Sequence, residues 1–139
     1  MAALATPRDT KQHSGIEMRR VVKSGVTVYK GAAVGVNTSS TVQPMAASVA
    51  GGLKCLGVAQ QTVVGDGVLT VDIVAGSFEF HNSTSTDAIA AKDGGAVAYA
   101  ADDQTAALTS ATSTRPVLGR IVGLADNGNV IVTIGPAVA

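Results

Sequence analysis

A strand–turn–strand unit occurs twice in this chain, and that repeat limits the fold more than any other feature. The first copy is Leu53-Lys54-Cys55-Leu56-Gly57-Val58-Ala59, followed by Gly65-Asp66-Gly67-Val68-Leu69-Thr70-Val71-Asp72-Ile73-Val74. The second is Arg115-Pro116-Val117-Leu118-Gly119-Arg120-Ile121-Val122, followed by Asp126-Asn127-Gly128-Asn129-Val130-Ile131-Val132-Thr133-Ile134. Leu56-Gly57 matches Leu118-Gly119, and Val68 matches Val130, each 62 positions on. Upstream, Gly31-Ala32-Ala33-Val34 matches Gly95-Ala96-Val97-Ala98, 64 positions on. Three landmarks in one order at a near-constant offset indicate an internal duplication. Chance similarity between strands rich in Gly, Ala and Val is the competing explanation. Two copies are too few for a solenoid, so the expectation is two β-rich halves of one compact domain.

The rest of the chain agrees with a β fold. Ile16 to Val22 can begin a strand, and Thr27 to Val36 is a β-prone run with a turn or bulge at Lys30-Gly31. Asn37-Thr38-Ser39-Ser40 is turn chemistry, and Pro44 confines Thr41 to Met45 to a sheet edge. In Val68 to Val74, the alternation places Leu69, Val71 and Ile73 on the core face. Ser77-Phe78-Glu79-Phe80 continues as strand with both phenylalanines on one side. Thr86 caps an expected short helix over Asp87 to Lys92, ended by Asp93-Gly94-Gly95. Ala96–Ala100 and Ala106–Leu108 are further strands around an Asp102-Asp103 turn, and Asn127-Gly128 is a hairpin signal. Eight to ten short strands predict an all-β fold, a barrel or a sandwich. Residues 1–20 read as a flexible N-terminal arm and 21–139 as the β-rich domain.

With 139 residues there is enough chain for one domain with its own core. Aromatics are 3% and Trp is absent, so that core is built from Val, Ala, Leu and Ile. Small side chains each bury little area, so modest monomer stability and a gain on oligomerisation are expected. The formal charge of zero hides a split. Arg8, Lys11, Arg19, Arg20, Lys23 and Lys30 stand against Asp9 and Glu17 in residues 1–30, a net +4, and the remainder carries −4. A basic head on an acidic body suits either contact with an acidic partner or a solvated arm. No aromatics interleave the basic residues, so nucleic acid is not an expected partner.

The chemistry-bearing residues are sparse. His13 lies in the arm and His81 at a strand end. No Gly-x-Ser-x-Gly accompanies them. Asp102 and Asp103 are adjacent, which on a strand would send them to opposite faces, and a solvated turn suits them better. Metal-ligand spacing and phosphate-binding loops are absent from the sequence, so neither metal nor cofactor is expected. Cys55 is the only cysteine and lies in an apolar strand, as a small buried hydrophobe would. Met1-Ala2-Ala3-Leu4-Ala5 lacks the pattern of a signal peptide, and no apolar run approaches a membrane span. Synthesis in a reducing cytoplasm, without membrane contact, is the expectation, so Asn37-Thr38-Ser39 and Asn82-Ser83-Thr84 read as turns.

Tyr29-Lys30-Gly31-Ala32-Ala33-Val34, Val42-Gln43-Pro44-Met45, Leu56-Gly57-Val58-Ala59 and Val71 to Phe80, with Gly76-Ser77-Phe78, together resemble the small capsid decoration, or cement, proteins of tailed bacteriophages, of the lambda head decoration type. The likeness covers about residues 26–134, of which Gly94 to Ile134 is similar to a related group of phage structural proteins. It implies a small β-tulip fold, homotrimers, and a place on the outer surface of the expanded head, bound to the major capsid protein at threefold positions. The chain departs from that type in its length, its scarcity of aromatics and its extra C-terminal unit. The expected function is therefore structural and non-enzymatic: stabilising the virion by clamping coat subunits. The expected contacts are Arg8, Lys11, Arg19, Arg20 and Lys23, in a segment that can add a strand to a neighbour's sheet edge. The alternatives are a tail or fibre component, a carbohydrate-binding module, against which it counts that Tyr29, Tyr99, Phe78 and Phe80 are the only aromatics available, or a small hydrolase, which the absent Gly-x-Ser-x-Gly disfavours.

Overall fold

A computed structural model describes Ala3, residues 5–7, 17–47 and 52–136. Among these residues the protein is all-β, with twelve strands: β1 (Glu17–Val21), β2 (Thr27–Val28), β3 (Ala33–Val36), β4 (Val42–Pro44), β5 (Lys54–Ala59), β6 (Val63–Val64), β7 (Thr70–Val74), β8 (Gly76–Asn82), β9 (Val97–Ala100), β10 (Thr105–Ala107), β11 (Val117–Leu124) and β12 (Val130–Ile134). They form a five-stranded sheet in the order β1-β7-β5-β3-β4, a closed barrel in the order β10-β8-β12-β11-β9, and a small β2-β6 ribbon.

The duplication extends through the whole fold. Read from β1 and from β8, the two five-stranded sheets have the same strand order and the same antiparallel neighbours. Val34 faces Gly57 where Ala98 faces Gly119, and Val36 faces Val42 where Ala100 faces Ala106. Met18 faces Ile73 where Phe78 faces Val132. Both sheets close by the same parallel contact, Val22 with Val42 in the first and Asn82 with Ala106 in the second. The Lys23 amide donates to the Val42 carbonyl (2.9 Å), as the Ser83 amide does to Ala106 (3.1 Å). The first sheet is thus a barrel too, sealed by a single bridge.

Local chemistry explains the repeated landmarks. Gly31 and Gly95, with φ of 91° and 89°, each make the left-handed turn that leads into β3 or β9. Their amides donate to the Ala59 and Ile121 carbonyls at 2.9 and 2.7 Å. Leu56 and Leu118 each sit in a β-bulge, so both leucines turn into their barrels. The glycines that follow face the adjoining strand. A β-carbon on Gly57 would stand 2.3 Å from the Val74 carbonyl oxygen, and one on Gly119 2.2 Å from that of Thr133.

Six interior positions correspond between the barrels. The first barrel is filled by Val34, Val42, Leu56, Ala59, Val71 and Ile73, together with Val22 and Val28. The matching residues of the second are Ala98, Ala106, Leu118, Ile121, Val130 and Val132. Two valines shrink to alanine, while Ala59 grows to Ile121, and Phe80 stands where the first barrel has Arg20. This trade in volume keeps both interiors filled, as close packing requires.

The chain passes from one barrel to the next with only Ala75 between β7 and β8. Ala33, Met45, Leu53, Cys55 and Val58, on the outer side of the first barrel, cluster with residues of the second. Strand β5 packs on β11 and β12, and the Ala33 amide donates to the Asp103 carbonyl across the junction (2.8 Å). Strand β5 is therefore buried on both faces from Cys55 to Ala59. The corresponding residues of the second barrel, Val97, Thr109, Arg115, Val117 and Arg120, are half-buried or exposed, and three of them are polar or charged.

Several sequence expectations change. The expected helix over Asp87 to Lys92 is two 3-10 turns, Ser85–Asp87 and Ala91–Asp93, neither capped by a threonine side chain. Asp87 instead bonds to Thr109 and Arg115, which fixes the loop in another shape. Gly65-Asp66-Gly67 does not join two strands directly, because β6 intervenes and pairs with β2. Strand β7 starts at Thr70, so Leu69 lies outside the barrel, half exposed. The structural partner of Val130 is accordingly Val71 rather than Val68. The arm boundary set at residue 20 falls within β1, which pairs with β7 from Glu17 onward.

Gly57→Ala and Gly119→Ala should each destabilise the protein by about 3 kcal/mol, because the added methyl meets a backbone carbonyl that cannot yield without moving its strand. Gly31→Ala, with open space around it, should cost only about 1–2 kcal/mol through its backbone conformation. Chemical denaturation of the three variants measures the difference.

Candidate functional site

The expected contact residues take different positions. Arg8 and Lys11 lie outside the described residues. Arg19, in β1, points to the outer face of the first barrel, where its Nε donates to Asp72 Oδ1 on β7 at 2.8 Å. Gln61 Nε2 donates to the other carboxylate oxygen (2.7 Å), and the Asp72 amide donates to Gln61 Oε1 (2.9 Å). The bonds from Arg19 and Gln61 hold the Asp72 carboxyl below the usual carboxylate range, and the same bond raises the Arg19 guanidinium. Arg19 is thus engaged within its own barrel. Arg20 and Lys23 are both exposed, Lys23 directly after the bridge that closes the barrel. Both lie where the chain leaves its first strand.

The groups considered for catalysis are dispersed. His81 is exposed on β8, its amide donating to the Gln104 carbonyl (2.8 Å). Asp102 Oδ1 accepts from the Gln104 amide (2.9 Å), an Asx turn between β9 and β10. Asp103 lies half-buried at the crevice between the barrels, beside Tyr29, Lys30, Gly31 and Ala32. Burial first, and the charge of Asp102 second, push its carboxyl above the usual range. Cys55 is buried between the barrels, and desolvation drives its thiol up to about 12, so it remains protonated near neutral pH. Among the described residues no group of three or more His, Cys, Asp or Glu could hold a metal ion, and no helix is long and apolar enough to cross a membrane.

The sequence places a turn at Gly65-Asp66-Gly67 but counts Val68 and Leu69 as strand, whereas both lie in the loop before β7. Asp66 Oδ1 accepts from the Val68 and Leu69 amides, both at 2.8 Å, and those bonds, that of Leu69 foremost, lower its carboxyl. The Gly-Asp-Gly spacing was the available signal: an aspartate flanked by glycines and followed by two apolar residues suits a loop closed on its own amides.

No family model, curated protein or solved structure matches the chain.

The carboxyls have opposite effects on stability. Asp66, Asp72 and Asp87 are lowered in the fold, Asp87 chiefly by its bond from Thr109. They favour the folded state above the unfolded carboxylate value of about 3.9, and that contribution is lost as pH falls through their folded values. Asp103 is raised, so its ionised form opposes folding above its folded value, and the opposition is relieved on acidification. Asp103→Asn should raise the melting temperature at about pH 7 and leave it unchanged at about pH 2. Asp72→Asn should lower it at about pH 7, with the difference vanishing at about pH 2. Thermal melts across this range test both.

Proposed function

We propose that the chain is a structural protein of a tailed-bacteriophage virion, which binds the major capsid protein on the outer surface of the expanded head and clamps neighbouring coat subunits. The observation that carries this reading is where the decoration-protein motifs fall. Gly31-Ala32-Ala33-Val34 makes the turn into β3, Leu56-Gly57-Val58-Ala59 is the bulged β5, and Gly76-Ser77-Phe78 opens β8. The resemblance thus rests on residues that build and join the barrels.

Two barrels joined through one residue, with β5 buried between them, make a body suited to transmitting load rather than to closing on a substrate. A homotrimer of such bodies would touch several coat subunits at once, so weak contacts would add through effective concentration. Binding the expanded shell alone stabilises that shell by mass action. Arg20 and Lys23 offer exposed positive charge to an acidic coat surface, and Arg8 and Lys11 continue that charge in the preceding sequence. The carbohydrate-binding alternative is weakened because Phe80 is buried and Phe78 is partly buried against the core, so few of the four aromatics are open to a sugar.

The test is decoration of expanded heads assembled from the major capsid protein of the phage that carries this chain. Deleting residues 2–15, or making Arg20→Glu with Lys23→Glu, should leave the fold intact and release the protein. Arg19 is spared because its pairing with Asp72 belongs to the barrel. Binding of the unaltered protein should weaken with added salt, since exposed charges are screened beyond about 10 Å at 0.1 M. Undiminished decoration by both variants would remove the basic segment from the contact, and absence of any head binding would remove the function.

A further inference from the structure

A polar crevice opens where the two barrels meet, with Tyr29, Lys30, Gly31 and Ala32 of the first on one wall and Asp103 and Gln104 of the second on the other. The main chain fixes both walls. On the first, the Ala32 amide donates to the Tyr29 carbonyl (3.1 Å), the Gly31 amide to the Ala59 carbonyl (2.9 Å) and the Lys30 amide to Thr62 Oγ1 (3.1 Å). On the second, Asp102 Oδ1 closes the turn by accepting from the Gln104 amide (2.9 Å). The Asp103 carbonyl accepts from the Ala33 amide (2.8 Å), which ties this turn to the first barrel. Tyr29 follows the buried Val28, and its ring stands 63% exposed.

The duplication offers no counterpart among the described residues. The turn into β9 reads Asp93-Gly94-Gly95 where the turn into β3 reads Tyr29-Lys30-Gly31, so it has neither the aromatic ring nor the lysine. The β3–β4 turn has an exposed Ser39 where the β9–β10 turn has Asp103. The crevice exists because the turn into β3 of one barrel meets the β9–β10 turn of the other, a meeting of unlike ends of the repeat.

Asp103 is the unpaired group in this crevice. Among the described residues its carboxyl forms no ion pair and accepts no hydrogen bond from another residue. Burial and the like charge of Asp102 act against its ionised form, and Lys30 on the opposite wall does not pair with it. A half-buried carboxylate in this position is stabilised by a cation that comes from outside. The Tyr29 ring beside it supplies a second attraction, since an aromatic face draws a cation within about 6 Å of its centre. A guanidinium suits both at once: it is planar, stacks on aromatic rings and meets a carboxylate through paired N–H groups. Gln104 adds an amide oxygen that can accept a further N–H. The crevice has a volume of about 310 Å³, at the lower end of ligand pockets, which run from about 300 to 1,000 Å³. That suits one side chain rather than a larger ligand.

We propose that this crevice binds the side chain of an arginine presented by a partner protein, with the guanidinium between the Tyr29 ring and the Asp103 carboxylate. Charge complementarity selects the occupant. The site belongs to the junction of the barrels, and it stands whether or not the chain decorates a head.

Titration of the full, isotope-labelled chain at neutral pH with N-acetyl-arginine methylamide tests it by nuclear magnetic resonance. The amides of Tyr29, Lys30, Gly31, Ala32, Asp103 and Gln104 should shift saturably at millimolar ligand, while those of the Asp126-Asn127-Gly128 turn stay in place. N-acetyl-citrulline methylamide, of the same shape and uncharged, should produce no saturable shift. Asp103→Asn should weaken binding about tenfold or more, and Tyr29→Leu about threefold to tenfold, each with circular dichroism unchanged. The citrulline comparison does not depend on either variant folding. No saturable shift with the arginine compound, an equal response to the citrulline compound, or unchanged binding in either variant would each overturn the proposal.

Discussion

At Gly57 and Gly119 a carbonyl oxygen of the adjoining strand occupies the space a β-carbon would need. The bulge that places Leu56 and Leu118 inside their barrels also brings the next residue against β7 or β12, and only glycine leaves room for that approach. The consequences spread outward from there. A leucine turned inward fills the centre of a barrel that has few aromatics to fill it. The added local twist of a bulge favours curling a five-stranded sheet until its edges meet, at Val22 with Val42 and at Asn82 with Ala106. Full closure also removes most free strand edge, a liability for any small β protein.

The two copies have since taken unequal tasks. The first buries both faces of β5 and gives its outer side, Ala33, Met45, Leu53, Cys55 and Val58, to the junction. The second leaves the corresponding positions half-buried or exposed and fills them with Thr109, Arg115 and Arg120 among others. The first also carries the β2-β6 ribbon, while the second keeps a tight turn. A scarcity of large side chains is met by joining two small cores into a larger one, since burial becomes more favourable as surface falls relative to volume. Without the junction the first barrel would stand on valines, one alanine, Leu56 and Ile73, and the second on valines, alanines, Leu118, Ile121 and Phe80.

Much of this was legible in the residues. The Leu-Gly and Gly-Ala repeats marked β5 with β11 and β3 with β9, since a glycine with a steric reason to be there recurs where the geometry recurs. Alternation identified Val71 and Ile73 as core and placed both phenylalanines on one side of β8. Asn127-Gly128 marked its hairpin. Other features were hidden because they depend on distant partners. The Asp87 loop has the composition of a short helix, but Thr109 and Arg115 on Asp87, the Asn82 side chain on Ile89 and the Leu108 amide on the Asp87 carbonyl hold it in 3-10 turns. Val68 matched Val130 by letter alone, whereas Val71 is the residue that faces the barrel. Of the contact residues, the charge split pointed to the basic strand, but it could not show that Arg19 is bound to Asp72 while Arg20 and Lys23 remain exposed. The apolar loop at Val64–Leu69 was obscured because an apolar run reads as core until its neighbours are known.

The claim on which the account rests is that one closed barrel has been built twice. Amide hydrogen exchange resolved by residue tests it most directly. The Lys23 and Ser83 amides make the matching bonds that close the two barrels, and Ala59 and Ile121 donate to the matching carbonyls of Ala32 and Ala96. Slow exchange at all four, with each pair protected alike relative to neighbouring loops, is the predicted result. A Lys23 amide exchanging as freely as an unstructured residue while Ser83 remains protected would show that the first sheet is open, and that the two halves do not share one plan.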